Sequence, residues 1–397
     1  MHLGITGPVS TAQLAHLLHL RPGSVPPAGM GGVPVNNLIL ELHKRGFQLS
    51  VFSHSLEVPE GKTVVLRGDN LTIYYGHYRP RARHRIADLY AAERRFIASA
   101  IQAAKPDLIH AHWQYEWGWG ALDSGVPTLL TCHDSPLDVL LAARDAYRAF
   151  RLAVAAIVLR KATHLTTVSP YVADRLKRFT RNPVRVIPNV EPVGVFDRFR
   201  TWAPPAEPSV VMVNNAFDRR KNVTTALRAF RQLGRSYPGA TLHLYGTDFG
   251  PGEAAQRWAV RHDCARRVAF HGPLGFEALM DAIARHDIFL HTSLEESFGM
   301  VLVEASAMGL PVVAGRQSGG VPWVLPGGSG LLVDVRSPEE VAGALGHLLA
   351  NPESVRQLCE RGRQNAVARF SPGVVVDQYI NAYHHVFKTA ESTSYSL

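Results

Sequence analysis

Cysteine is scarce and scattered: the 397-residue chain holds three, Cys132, Cys264 and Cys359, with no Cys-x-x-Cys. An odd count without close spacing excludes a disulfide framework and a zinc knuckle, and reads as small core residues in a reducing compartment. No run reaches the roughly 18 consecutive apolar residues that a membrane span requires. Met1–Pro8 has no basic segment and too short an apolar run for a signal peptide. No Gly-x-Gly-x-x-Gly opens a first helix, and Walker A and His-Glu-x-x-His patterns are absent. These absences disfavour a nicotinamide dehydrogenase, a P-loop enzyme and a zinc protease. The 19 histidines do not cluster at metal spacing, and His110 and His112, on one face of a predicted strand, read as a structural pair. Lysine is also rare, and nearly all of the positive charge is arginine.

What is present describes a globular chain. Hydrophobic residues make up 46% and charged residues 19%, enough to bury large cores. At about 150 residues per domain, two to three domains are expected. The formal charge of +9 suits nucleic acid, an anionic membrane or phosphorylated ligands. Basic residues interleaved with aromatics are lacking, and nucleic acid is not an expected partner. Basic regions at Arg79–Arg95 and Arg144–Lys161 read as solvated helices of an Arg-rich chain, with contact to anionic lipid as the alternative.

Short apolar runs alternate with helical patterns throughout. Strands are expected at Leu3–Thr6, Gln48–Phe52, Leu108–His112, Thr128–His133, His164–Val168 and Val184–Ile187 in the first half. The second half offers Val210–Val213, Thr241–Tyr245, Val268–His271, Ile288–Thr292, Pro311–Ala314 and Leu331–Val333. Helical patterns include Val35–Arg45, His84–Lys105, Val223–Leu233, Phe276–Arg285, Met300–Met308, Pro338–Leu349 and Glu353–Arg369. Such alternation predicts an α/β chain of two doubly wound domains with parallel sheets. Three prolines in Pro204–Pro208 suggest a linker. The expected domains are 1–200, a linker 201–208, 209–371, and a C-terminal helix with a frayed tail at 372–397 that returns to the first domain. A cleft between two such domains would face the loops that follow the strands.

The strongest chemical constellation is Ser293–Ala305. A strand ends in a polar loop, and Gly299 opens an apolar helix whose free amides at Met300, Val301 and Leu302 could hold a diphosphate. Glu296 and Glu304 bracket that pocket, and carboxylates accept hydrogen bonds from diols of sugar and ribose. Asp218-Arg219-Arg220-Lys221-Asn222 follows the first strand of the second half, where cations would neutralise a leaving diphosphate.

The Glu-x7-Glu pattern from Glu296 to Glu304, followed by Gly309-Leu310-Pro311-Val312-Val313-Ala314, resembles the retaining glycosyltransferases of family 4. The resemblance extends to Gly31-Gly32 before a helix, Pro106–Trp113, Thr131-Cys132-His133-Asp134, and Val186-Ile187-Pro188-Asn189. It implies the GT-B fold, two Rossmann-like domains facing an interdomain cleft. It also implies transfer from a nucleoside-diphosphate sugar, UDP or GDP, with retained anomeric configuration and no further cofactor. By resemblance, Glu296 contacts donor-sugar hydroxyls, Glu304 the ribose and Lys221 the phosphates. Ser297, Phe298, Gly299, Met300 and Val301 would line sugar and phosphates, and Gly31 and Gly32 would close over the diphosphate. His133 would orient the reacting centre, with Asp134 serving acceptor or loop. Tyr115, Glu116 and Trp117 are candidate acceptor contacts. The acceptor would be a carbohydrate, a lipid-linked sugar or a small molecule, and the expected location is cytoplasmic or at the inner membrane face. Two departures stand out: Asn215 occupies the place of a family arginine, with Arg219 or Arg220 as substitutes, and Trp323 occupies the place of a glutamate. No Asp-x-Asp triplet occurs, which disfavours metal-dependent sugar transfer. A nucleotide-sugar epimerase and a non-catalytic nucleotide-sugar binder are the alternatives.

Overall fold

The computed structural model describes the backbone of residues 1–394 and side chains through residue 390. The chain divides into two compact units, 1–190 with 372–397, and 191–371. The division falls after Val190, and Trp202, within the expected linker, is buried in the second unit's core.

The first unit carries eight strands: β1 (His2–Thr6), β2 (Gln48–Ser55), β3 (Thr63–Arg67), β4 (Leu71–His77), β5 (Leu108–His112), β6 (Thr128–Cys132), β7 (His164–Thr167) and β8 (Val184–Val186). Their order is β3-β4-β2-β1-β5-β6-β7-β8. The central strands are buried along almost their whole length, as expected where helices cover both faces of a parallel sheet. The helix Val33–Lys44 starts at left-handed Gly32 and sinks Val35, Leu38, Ile39 and Leu42 into the core. The last helix, Pro372–Ser394, belongs to this unit and adds Val375, Tyr379, Tyr383 and Val386 to the same core. The expected frayed tail is thus helical as far as 394, and its final three residues lie outside the described residues.

Three features depart from the sequence reading. The strands β3 and β4 pair antiparallel in an otherwise parallel sheet. Turn residues Gly68-Asp69-Asn70 join them, and in β3 only Val64 and Leu66 are half-buried against the core, while Thr63, Val65 and Arg67 are exposed. The long helical pattern at His84–Lys105 is two helices, Ala82–Ala87 and Ala91–Ala104, separated where Leu89 and Tyr90 adopt left-handed backbone. The helix Ala254–Arg261 in the second unit was not anticipated.

The second unit's sheet is wholly parallel. Its strands are β9 (Ser209–Val213), β10 (Thr241–Tyr245), β11 (Val268–Gly272), β12 (Ile288–His291), β13 (Val312–Gly315) and β14 (Leu331–Val333), in the order β11-β10-β9-β12-β13-β14. This is the doubly wound order 3-2-1-4-5-6. Val210, Met212, Leu244, Ile288 and Leu290 pack with Leu227 and Phe230 of the helix Val223–Leu233. Among the described residues no helix is long and apolar enough to cross a membrane.

Candidate active site

In open α/β sheets, ligands bind beyond the carboxyl ends of the strands where the strand order reverses. In the second unit the reversal lies between β9 and β12. The loops leaving these two strands are stitched together. Asn222, with left-handed backbone, donates its side-chain amide to Thr292 O (3.1 Å) and Val335 O (2.7 Å). Thr292 Oγ1 donates back to Asn222 O (3.1 Å), and Leu294 N donates to Arg220 O (2.8 Å).

The stitched loops bring Lys221 Nζ to 2.7 Å from Glu296 Oε1, and His291 Nε2 to 3.3 Å from the same oxygen. The Lys221 and Glu296 side chains are only 13% and 14% exposed. Burial alone would raise the Glu296 carboxyl, but His291 and Lys221 outweigh it and hold it well below the usual carboxylate range. Gly320 N donates to Glu296 O (2.8 Å), fixing the backbone from the glycine loop. Trp323 in that loop is a packing residue: it lies against Phe298 and Phe370 under the Arg369 guanidinium.

Gly299 adopts φ 92° and caps the helix Met300–Ala307. The Leu302 amide already donates to Gly299 O (3.0 Å), which leaves Met300 and Val301 as the amides at the helix mouth. The Phe298 side chain is buried, and only its backbone is available to a ligand. Glu304, one turn in, is buried, and burial pushes its carboxyl up to about 7. Its neighbour Glu191 is fully buried, with both carboxylate oxygens lacking a hydrogen-bond partner, and burial together with Glu304 drives it well above the ordinary range. Burial and their mutual repulsion favour a protonated carboxyl over two bare charges. Asn215, Arg219 and Arg220 are exposed, and Ser297 is half-buried. Asp218 anchors this basic loop by accepting from Lys221 N (2.8 Å).

The first unit builds its own cluster after β5 and β6. Trp113 follows β5 with left-handed backbone (φ 64°), a strained state for a bulky residue that marks a constrained loop. Its indole stacks on His133 at 4.2 Å. His112 Nδ1 lies 2.9 Å from His133 Nε2. Burial pushes the His133 imidazole down to about 4, against the pull of Asn189. Asp134 is raised by burial and accepts from Gln114 Nε2 (2.9 Å) and Tyr115 OH (3.2 Å).

Tyr115, Glu116 and Trp117 are turned inward. Tyr115 lies under the Arg151 guanidinium, Glu116 accepts from Tyr78 OH (2.9 Å), and Trp117 stacks on Tyr78. None is more than 6% exposed, and an acceptor finds no accessible side-chain surface on them. They head the buried helix Glu116–Asp123, whose burial follows from its Trp-Gly-Trp-Gly-Ala sequence. Gly31 and Gly32 both have positive φ; a Cβ on Gly32 would collide with Pro8 O, whereas Gly31 faces open space.

Sequence reasoning missed His291, Glu191 and Gln114 as members of these clusters, and it gave Asn222 and His112, which it named, no role in them. Asn222 carried a signal, an Asn at a helix start, whereas His291 reads as one more strand residue. Among the described residues no group of three or more His, Cys, Asp and Glu side chains is placed to hold a metal ion.

Residues 31–190 match Glycosyltransferase Family 4, and residues 196–365 match the Glycosyl transferases group 1 family. The chain is 28% identical over 403 aligned residues to D-inositol 3-phosphate glycosyltransferase of Saccharomonospora viridis, covering 94% of this chain and 93% of the relative. Sucrose-phosphate synthase from Thermosynechococcus elongatus superposes with a TM-score of 0.75 at 22% identity, covering 98% of this chain and 100% of that one. Anabaena HepE in complex with UDP and glucose gives 0.65 at 18% identity, over 97% and 99% of the two chains. Two parallel-sheet α/β units with these likenesses define a glycosyltransferase of the GT-B fold. The chain belongs to glycosyltransferase family 4, and it is an enzyme.

Proposed function

We propose that this enzyme moves a sugar from a nucleoside-diphosphate donor to an acceptor hydroxyl with retention of configuration. The observation that carries this reading is the Glu296 carboxylate fixed between Lys221 and His291, beside the Gly299 helix mouth. In the proposed complex Glu296 accepts from donor-sugar hydroxyls and Glu304 from the ribose. Lys221, with the exposed Arg219 and Arg220 standing in at Asn215, takes the diphosphate together with the Met300 and Val301 amides, and Ser297 and Phe298 contribute backbone to the sugar. UDP is the proposed nucleotide, in keeping with the Anabaena HepE structure of the same fold, which is in complex with UDP and glucose.

As the C1–O bond breaks, negative charge grows on the diphosphate and positive charge on the ring. Fixed donors aimed at that growing charge are usually the largest catalytic contribution. The acceptor hydroxyl attacks from the face that the diphosphate leaves, and its proton passes to the departing phosphate oxygen. No enzyme carboxylate is consumed. In the first unit, the neutral His133 ring is assigned to a sugar hydroxyl near the reacting centre. Asp134 is assigned to the acceptor, and the Gly31–Gly32 backbone to the diphosphate. The acceptor is a polyol, the class to which an inositol phosphate belongs.

The test is a thermal-shift panel of UDP, GDP, ADP and their sugars, followed by transfer assays. Ligand at 100 times its Kd stabilises by about 2.7 kcal/mol. A shift with one nucleotide family, loss of transfer in Glu296→Ala and Lys221→Ala, and a retained anomeric centre by NMR are expected. No shift with any nucleotide would refute donor binding. A shift without transfer to any polyol would leave a binder, and interconversion of the donor alone would make it an epimerase.

A further inference from the structure

A cavity of about 490 Å³ opens at the amino ends of β10 and β11, in the second unit. Pro238 and Ala240, in its wall, precede β10, and Arg266 and Arg267 precede β11. Lys221 and Glu296 follow the carboxyl ends of β9 and β12 in the same sheet. The five residues of β10, at about 3.4 Å each, set the two ends roughly 16 Å apart. The cavity is therefore no part of the donor crevice.

Its chemistry is two-sided. Phe230, Ala240 and Cys264 are buried and give it an apolar floor. Arg231, Arg235, Arg266 and Arg267 surround that floor, and Asp263 is the only acid in the lining. A cleft lined by one sign of charge concentrates ions of the other. Two of the four arginines are already engaged. The helices Val223–Leu233 and Ala254–Arg261 both end here, and helix ends present carbonyls that attract cations. Arg231 donates to His262 O (3.4 Å) and lies 3.8 Å from the exposed Asp263, and Arg267 donates to Gly239 O (3.1 Å). Arg235 and Arg266 differ. Both are exposed, and neither side chain has an ion pair or a hydrogen bond among the described residues. The segment carrying Arg266 is a pinned turn: Cys264 N donates to Ala259 O (2.8 Å) and Val268 N to Ala265 O (3.2 Å), with left-handed backbone at Asp263 and Arg267.

We propose that this cavity binds a phosphomonoester carried on an apolar body, either a free small molecule or a lipid headgroup. Arg235 and Arg266 take the phosphate, and the body rests on Phe230. Guanidinium groups match phosphate oxygens in pairs, and the volume is that of a small-ligand site. The apolar floor separates this cavity from a plain basic surface. The site stands on the second unit alone and does not depend on which nucleotide the enzyme uses.

The test is calorimetry of the full chain with phenyl phosphate and with inorganic phosphate. Phenyl phosphate is expected to bind roughly tenfold more tightly than inorganic phosphate, as partial burial of its ring on the floor allows. This binding should persist in Lys221→Met, which separates it from the donor crevice. Combining Arg235→Gln with Arg266→Gln should weaken both ligands by about tenfold or more, with nucleotide-induced thermal shift unchanged. Gly234, in the cavity wall, has φ −60°, and a Cβ there meets nothing closer than 3.6 Å. Gly234→Leu therefore narrows the cavity while keeping every charge, and should abolish the advantage of phenyl over inorganic phosphate. No binding of phenyl phosphate at millimolar concentration, equal affinity in wild type and the arginine variant, or a phenyl advantage that survives Gly234→Leu overturns the proposal. Should the arginine variant fail to fold, the phenyl advantage and its response to Gly234→Leu still decide. Sedimentation with phosphatidic acid vesicles separates the two sources. Capture of wild type and not of the arginine variant identifies a headgroup, and binding of the soluble ester alone identifies a free small molecule.

Discussion

Replacing Lys221 with methionine removes the cation from a nearly buried ion pair and leaves most of the shape. At 2.7 Å and an effective dielectric of about 20, the two charges attract by roughly 6 kcal/mol. Much of that offsets the cost of desolvating both groups. Removing one partner leaves the other charge buried and uncompensated, at a cost of about 3–5 kcal/mol. His291 stays 3.3 Å from the orphaned carboxylate, which favours the lower end. In turnover, the loss of one donor to the developing diphosphate charge is worth about 10²–10³-fold in kcat. Denaturant titrations at pH 7 should show Lys221→Met as clearly less stable, and the double variant with Glu296→Gln as less damaged than the sum of the singles, with a coupling of about 0.5–3 kcal/mol. The pH dependence has a definite sign. Glu296 is depressed in the folded state from an ordinary value of 4.5, so the pair's contribution is present above that value and is lost as pH falls through the folded one. The gap between wild type and Lys221→Met should be widest near neutrality and close in acid. Unchanged turnover together with an additive double variant would refute the assignment of Lys221 and the ion-pair energetics at once.

Other outcomes follow from the same geometry. Glu304, raised from 4.5 to about 7 when folded, binds a proton that the unfolded chain has already lost; ligand-free stability should fall as pH rises through that window. Nucleotide affinity, measured by calorimetry, should rise over the same range as the carboxylate forms, and Glu304→Gln should flatten both trends. Gly32→Ala forces a Cβ against Pro8 O and should lower the melting temperature more than Gly31→Ala, which pays only the left-handed backbone cost of about 1–2 kcal/mol. Asn222→Ala cuts both stitches to Thr292 O and Val335 O. Denaturation should register a loss of about 1–3 kcal/mol, and kcat should fall as Lys221 drifts from Glu296.

Much of the fold was legible because its signals are local. Thr241–Tyr245, Leu331–Val333 and Val223–Leu233 stand where the apolar runs and helical spacing put them. Parallel strands covered on both faces are continuous apolar segments, which makes them visible. The edge hairpin of β3 and β4 was hidden because β3 is a five-residue strand in which only Val64 and Leu66 are half-buried against the core, a short and weak signal. The break at Leu89–Tyr90 was hidden because a left-handed pair needs no glycine or proline to announce it. In the second unit's cluster Lys221 was named by the resemblance, and Glu296 and Glu304 could be picked out from their place around a helix start. Their supports could not: His291 and Glu191 act by proximity that only the folded chain creates. Trp117 failed as an acceptor contact for the converse reason, since an aromatic after a strand end looks the same in sequence whether it faces in or out.

The helix Pro372–Ser394 has a consequence for synthesis. The chain leaves the first unit at Val190, makes the whole of the second, and only then produces the segment that completes the first. A ribosome therefore releases an N-terminal sheet lacking Val375, Tyr379 and Tyr383 for as long as 181 intervening residues take to emerge. During that interval His110 lacks its tyrosine, and an oily face stays bare and open to chaperones or to self-association. Premature termination anywhere before 372 thus spoils the part of the molecule made earliest, which couples the quality of the start of the polypeptide to the arrival of its end.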